Sequence, residues 1–273
     1  MRSTLDARQV LSHAFLIVAC LAVLLPLGWI VRTSFVSQMQ AYRIPPDLTA
    51  PPSIENYVTV FQGRDFGRHL STTLIVCGIS ASLAVALGGL GAYGIARRER
   101  GGTGITLAML SGQLFPRIAL VLPLYILVRN VGGYDTVWVF ILTYLSFMVP
   151  ATVVILIPYF RQVPKEVEDA ALVDGAGRLR ILARIVFPLA LPGVAAAWVF
   201  ALMLGWNELL FPLFLGGRST RMLTVAVGSF VTQRGVAIGP VAAATMLCIV
   251  PVVFVVILLR RALVGGLTAG SVR

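Results

Sequence analysis

The chain has 273 residues, 58% of them hydrophobic and 12% charged, with a mean hydropathy of +0.90 and a net charge of +11. Soluble domains are about a quarter charged, so this composition excludes a soluble enzyme, a disordered tail and a secreted disulfide scaffold. It describes an all-α integral membrane protein, with length for about six helical spans at ~20 apolar residues per crossing.

Residues 1–13 are polar, with Arg2 and Arg8, and lead into an apolar run over 14–31. A basic start before such a run also describes a signal peptide. The run ends in Gly28-Trp29-Ile30-Val31-Arg32 rather than a small-x-small cleavage site, so an uncleaved first helix is expected. A Pro-rich loop over 32–68 follows, with a short amphipathic helix from about Ile54. The second span, 70–96, repeats Ser80, Ala84, Gly88, Ala92 and Ala96 at every fourth position. Such a face of small side chains lets another helix backbone approach closely, which in lipid replaces the missing hydrophobic drive.

Arg97, Arg98 and Arg100 close that span. A third is expected over 104–128, interrupted by Pro116, Arg117 and Pro123, and a fourth over 136–159. Two more follow over 186–210 and 238–259, after a charged segment at 161–184. The whole chain, 1–273, reads as one transmembrane domain. Basic residues bias membrane orientation. Arg2, Arg8, Arg97, Arg98, Arg100, Arg161, Lys165, Arg178, Arg180, Arg184, Arg260, Arg261 and Arg273 fall on one side, against Arg32, Arg43, Arg64, Arg68, Arg129, Arg218, Arg221 and Arg234 on the other. Thirteen against eight places both termini and the 161–184 segment in the cytoplasm, in a cell (inner or plasma) membrane. The cations are dispersed between apolar runs rather than gathered on a soluble patch, so nucleic acid is not expected as a partner.

Cys20, Cys77 and Cys248 lie far apart inside apolar runs and read as small buried hydrophobes rather than a disulfide framework or a metal site. Lys165, the sole lysine, follows Pro164 without the Gly-rich turn of a phosphate-binding loop. No cofactor is expected, the chain does not read as an enzyme, and any ATP hydrolysis belongs to another subunit.

The segment 163–176 is the most informative. Pro164 suits a first helical turn, and Glu166, Glu168 and Asp169 suit the positive end of the helix dipole. Val167, Ala170, Ala171 and Asp174 share one face, and Gly175 permits the positive φ that ends a helix. A second, basic stretch with Arg178, Arg180 and Arg184 then runs to Pro188. A short helix, a tight turn and a second short helix make a docking knob at the membrane surface.

The stretch Glu168-Asp169-Ala170-Ala171-x-x-Asp174-Gly175-Ala176, followed by Ile185-Val186-Phe187-Pro188, resembles the EAA loop of ABC-importer permease subunits. Asn56-Tyr57, Gly91 to Arg97, Pro123-Leu124-Tyr125, Trp206-Asn207-Glu208 and Gly265 to Gly270 resemble the carbohydrate-uptake branch, the subunits similar to the second maltose permease. The resemblance implies a second permease subunit, two copies of an ATPase subunit that receives the loop, and an extracytoplasmic solute-binding protein. Asp169 departs from the family's usual Glu by one methylene, and Arg117 departs from its usual small or apolar residue.

Inside the membrane, a central Arg costs ~2.5–3.5 kcal/mol on insertion scales and faces a partner or a wet cavity. Arg117 could contact a solute on the translocation path, or pair with Glu208 beside Asn207, or meet a polar group of a partner. Trp206 reads as an interfacial anchor. The alternative class, a proton-coupled secondary transporter, usually carries several intramembrane ionisable groups, and this chain offers few beyond Arg117 and Glu208.

Overall fold

The computed structural model describes residues 7–269 except 64, 99, 100 and 234. Arg2, Arg64, Arg100, Arg234, Gly270 and Arg273, on which part of the orientation and motif reading rests, lie outside the described residues. The described chain is helical apart from one two-stranded hairpin, and it divides into two compact units.

The first unit comprises the chain up to Phe66 together with Val227–Val250. It opens with α1 (Ala7–Ser34), whose most apolar stretch has no buried residue. The short α2 (Gln38–Ala41) and α3 (Glu55–Gly63) follow. Asn56 on α3 is 1% exposed and donates through Nδ2 to the carbonyls of Ser34, at 3.3 Å, and Val36, at 2.6 Å. The carbonyl of Ser34, in the last turn of α1, and that of Val36, just past it, are satisfied in this way, the need that every helix C-terminus carries. Tyr57 meets Ser34 Oγ at 2.8 Å, so the Asn56-Tyr57 pair ties α3 to the end of α1.

The second unit comprises Gly67–Ala226 and the chain from Pro251. Its framework is α4 (Phe66–Ala96), α5 (Gly102–Gln113), α6 (Arg117–Asn130) and α7 (Val137–Gln162). The short α8 (Lys165–Val173) and α9 (Arg178–Ile181) come next, then a π-helical turn over Leu182–Val186 and α10 (Phe187–Leu189). It continues with α11 (Leu191–Trp206) and α12 (Leu210–Leu215). The chain then runs through α13 (Leu223–Gly228) and α14 (Ile238–Ala269), each divided between the two units, with β1 (Val231–Thr232) and β2 (Gly235–Val236) of the first unit between them.

The small-residue face of α4 packs on α7. Ser80, Ala84 and Ala92 have no exposed surface. A Cβ on Gly88 would stand 2.1 Å from Thr152 Oγ1, and that hydroxyl donates to the Ala84 carbonyl at 2.9 Å. α11 meets α7 by the same device, burying Gly193, Ala195, Ala197, Ala201 and Gly205. Close backbone approach is therefore the packing principle of this unit.

Four helices are long and apolar enough to cross a membrane, six if each of two bent pairs counts as one. The span expected over 104–128 is α5 and α6, bent by 79° at the Leu114-Phe115-Pro116 break, where Pro116 stands in extended conformation. The span expected over 186–210 is shorter. Its α-helix starts at Leu191 beside Pro192, because the preceding residues belong to the Arg178–Leu189 segment, bent from it by 88°. Trp206 is 9% exposed, buried rather than presented at an interface, and Cys20 is exposed, in contrast to buried Cys77.

Candidate functional site

α8 forms where the sequence places it. Pro164 is its N-cap, one position earlier than a first-turn residue, with φ −60° and ψ 135°. Gly175 adopts φ +81°, and its amide donates to Leu172 O at 3.0 Å while Ala176 N donates to Ala171 O at 2.9 Å. This left-handed turn closes the helix and sends the chain into α9.

Glu168 points into this chain rather than outward. It is 6% exposed, with Tyr93 Oη donating to Oε2 at 2.7 Å and Arg97 Nε donating to Oε1 at 2.9 Å; a second Arg97 nitrogen meets Oε1 as well. Arg97 Nη2 also donates to Val163 O at 3.0 Å. Charge-assisted bonds of this kind are about twice as strong as neutral ones. The end of α4 is thereby clamped both to α8 and to the turn that introduces it. Beside the clamp opens a cavity of about 590 Å³, lined by Arg98, Lys165, Asp169 and Arg178 among others.

The two alanines divide their faces. Ala171 packs against the core made by Ile95, Leu156, Phe160, Ile181 and Leu182, whereas Ala170 is exposed. Glu166, Asp169, Asp174 and Gly175 are exposed as well. The outward surface of the loop is thus Glu166, Asp169, Ala170, Asp174 and Gly175, and Glu168 and Ala171 form its inward anchor. Sequence reading placed Tyr93 and Arg97 in a motif without their partner, 75 and 71 residues away.

The second constellation lies at the α5–α6 break. Arg117 Nη1 donates to Glu208 Oε2 at 2.8 Å, and its guanidinium sits 4.3 Å over the Phe147 ring. Glu208 Oε1 accepts from the amides of Leu210, at 2.9 Å, and Phe211, at 3.4 Å, capping α12. Phe147 stacks on Phe211 with centroids 6.3 Å apart. Glu208 is buried, and the Arg117 side chain is 39% exposed and lines a cavity of about 200 Å³ with Gln113, Ser146, Phe147 and Phe211. Of the roles open to Arg117, the pairing with Glu208 is formed, and a free side of the guanidinium still faces the cavity. Asn207 does not join them; its side chain donates to Met203 O at 2.8 Å and ends α11.

Membrane-length helices packed by close backbone approach, with a short charged helix bonded to the end of one of them, define a polytopic membrane subunit. The chain belongs to the family described as binding-protein-dependent transport system inner membrane component, whose pattern matches residues 73–268. It is therefore a membrane subunit of an ABC importer. It is 32% identical to a diacetylchitobiose uptake system permease of Streptomyces coelicolor, over 96% of this chain and 88% of that one. It is 34% identical to an inner membrane ABC transporter permease of Escherichia coli, over 92% and 91%, and 32% identical to a trehalose transport system permease of Mycobacterium tuberculosis, over 92% of each. Its fold matches a chain of a bacterial ABC transporter that imports alginate, with a TM-score of 0.76 at 19% identity over 95% of this chain and 99% of that one.

Proposed function

We propose that this chain forms half of the translocation pathway of an ATP-driven importer for a sugar or sugar-derived solute, with residues 164–176 as the element that a separate ATPase subunit grips. The sugar assignment is supported by relatives named for diacetylchitobiose and trehalose. The mechanical assignment is carried by one observation, the Tyr93–Arg97–Glu168 clamp. A helix gripped from the cytoplasm and bonded by a buried carboxylate to the end of a membrane span moves that span with it. Glu166, Asp169, Ala170, Asp174 and Gly175 make the gripped surface, and Glu168 and Ala171 are the anchor.

The assembly contains a second permease, two copies of the ATPase subunit and an extracytoplasmic solute-binding protein. The unburied apolar stretch of α1 supports a membrane partner, through lipid, another subunit or both. Arg117, held by Glu208, belongs to the solute path, and Asn207 supports the turn behind it.

The test is association with the ATPase. Ala170→Trp adds an indole to the gripped surface, where overpacking costs typically ~1–3 kcal/mol. The variant is expected to insert with its partner permease and to lose the ATPase in pull-down from membranes. Undiminished association and undiminished stimulated hydrolysis would show that 164–176 is not the gripped element.

A further inference from the structure

The end of the second unit remote from α8 carries a group of side chains that the coupling scheme leaves unused. α7 separates Asp135 from Val163 by 26 helical residues, ~39 Å at ~1.5 Å per residue. Asp135 adopts φ +60°, a conformation that Asp tolerates better than most residues. Its carboxylate is occupied by one turn of the chain. Oδ1 accepts from Gly217 N at 2.9 Å, Thr220 N at 2.8 Å and Thr220 Oγ1 at 2.7 Å, and Oδ2 accepts from Ser219 N at 2.9 Å. Arg68 adds a bond to Ser219 O at 3.2 Å. The 216–220 turn is therefore fixed, and it holds Arg218 in solvent with Arg221 directly after it.

Arg129 is fixed beside this turn. Tyr134 Oη donates to Gly216 O at 3.2 Å, and the Tyr134 ring lies 4.3 Å from the Arg129 guanidinium. The Tyr125 ring lies 5.4 Å from the same group, and Arg129 Nε donates to Tyr125 Oη at 2.9 Å. The guanidinium is held by one hydrogen bond and two rings, while neither terminal nitrogen has an acceptor among the described residues. Arg68, Arg129, Arg218 and Arg221 are exposed, and none forms an ion pair among the described residues. The one carboxylate built into this group, Asp135, is already engaged by amides and a hydroxyl.

We propose that this arginine-bearing turn is the docking surface for an acidic face of the extracytoplasmic solute-binding protein, with Arg129 receiving one of its carboxylates as a bidentate pair. The proposal rests on the importer reading and on the orientation that puts α8 in the cytoplasm. Arginine set among tyrosines is the composition of interface hot spots, and a guanidinium already ordered loses less freedom on binding. Charge across such a contact acts mainly on encounter and register.

The experiment uses the assembled transporter in lipid nanodiscs and, as probe, a purified solute-binding protein that stimulates its ATP hydrolysis. Stimulation of the wild-type assembly reports on the importer reading by itself. The docking proposal is read from the half-stimulating concentration in R129Q, in R129K and in the doubly substituted R218Q/R221Q. About a tenfold rise, at unchanged maximal hydrolysis, is expected for R129Q and for the double variant, with a smaller rise for R129K, which keeps charge but not the fork. Salt raised to ~0.5 M should weaken the wild type likewise and the double variant less. A stimulated wild type with the same half-stimulating concentration in all three variants overturns the proposal. Loss of bound anionic lipid from the variants, with stimulation unchanged, overturns it in favour of a lipid headgroup site.

Discussion

A carboxylate survives burial among apolar helices only when both oxygens are answered, and Glu208 is answered on one side by Arg117 and on the other by two backbone amides. Removing one partner of a fully buried pair costs about 3–5 kcal/mol; Arg117 is partly exposed, so the cost here is smaller. Arg117→Leu is therefore expected to lower the thermal midpoint of the purified assembly more than Arg117→Leu combined with Glu208→Gln, which removes the orphaned charge and keeps an oxygen for the amides. Equal midpoints for the two would show that Glu208 is not held by Arg117. Asp135 gives a pH-dependent counterpart outside the membrane. Burial raises its pKa, but bonds from Thr220, Ser219 and Gly217 prevail and hold it at about 2, against an ordinary 3.8. A depressed carboxylate stabilises the fold above its unfolded value and ceases to as pH falls through the folded one. Protease cleavage within 216–220 should accordingly stay slow down to pH ~4 and accelerate from there towards ~2, and Asp135→Asn should flatten that profile. The charged residues inside apolar runs were legible in the sequence, because an intramembrane Arg stands out by its cost. The partner of Arg97 was not, because a pair 71 residues apart has no local pattern.

At the level of elements, α8 and its glycine exit follow the sequence pattern closely, since Pro164, an acidic first turn and Gly175 are all local signals. The faces of α8 were less legible. Helical spacing puts Val167, Ala170, Ala171 and Asp174 together, yet Ala171 turns to the core and Ala170 to solvent, a division set by Ile181 and Leu182 arriving from the following turn. The bend between α5 and α6 was visible as Pro116, but its 79° was not, because the angle depends on what the two halves pack against. Two element-scale outcomes follow from the geometry. Gly175→Val forces a β-branched residue to φ +81° and should misdirect α9, leaving membrane insertion intact while uncoupling hydrolysis from uptake in reconstituted vesicles. Gly88→Val meets Thr152 where even a Cβ would be 2.1 Å away. It should separate α4 from α7 and reduce the yield of folded subunit, whereas Leu87→Val on the exposed face of the same helix should not.

For the whole molecule, the central claim is that force enters at α8 and reaches the membrane through Glu168. Composition and the repeated small residues of α4 made an all-helical membrane subunit legible, and the 164–176 pattern made its family legible. Long-range closure, as in the clamp of α4 to α8, required the fold. Topology is checked with reporters fused after Arg43 and after Arg178; opposite compartments are expected, and a shared compartment would contradict the six-span arrangement. The most direct measurement is the ratio of solute taken up to ATP hydrolysed, in vesicles holding the complete assembly, for the wild type and for Glu168→Gln. The substitution leaves the outward surface of α8 untouched but removes the charge that Arg97 and Tyr93 address. The ATPase should remain bound and hydrolysing while uptake per ATP falls by about tenfold, the loss that ~1.4 kcal/mol of coupling represents. An unchanged ratio, with the ATPase bound, would contradict transmission through the clamp.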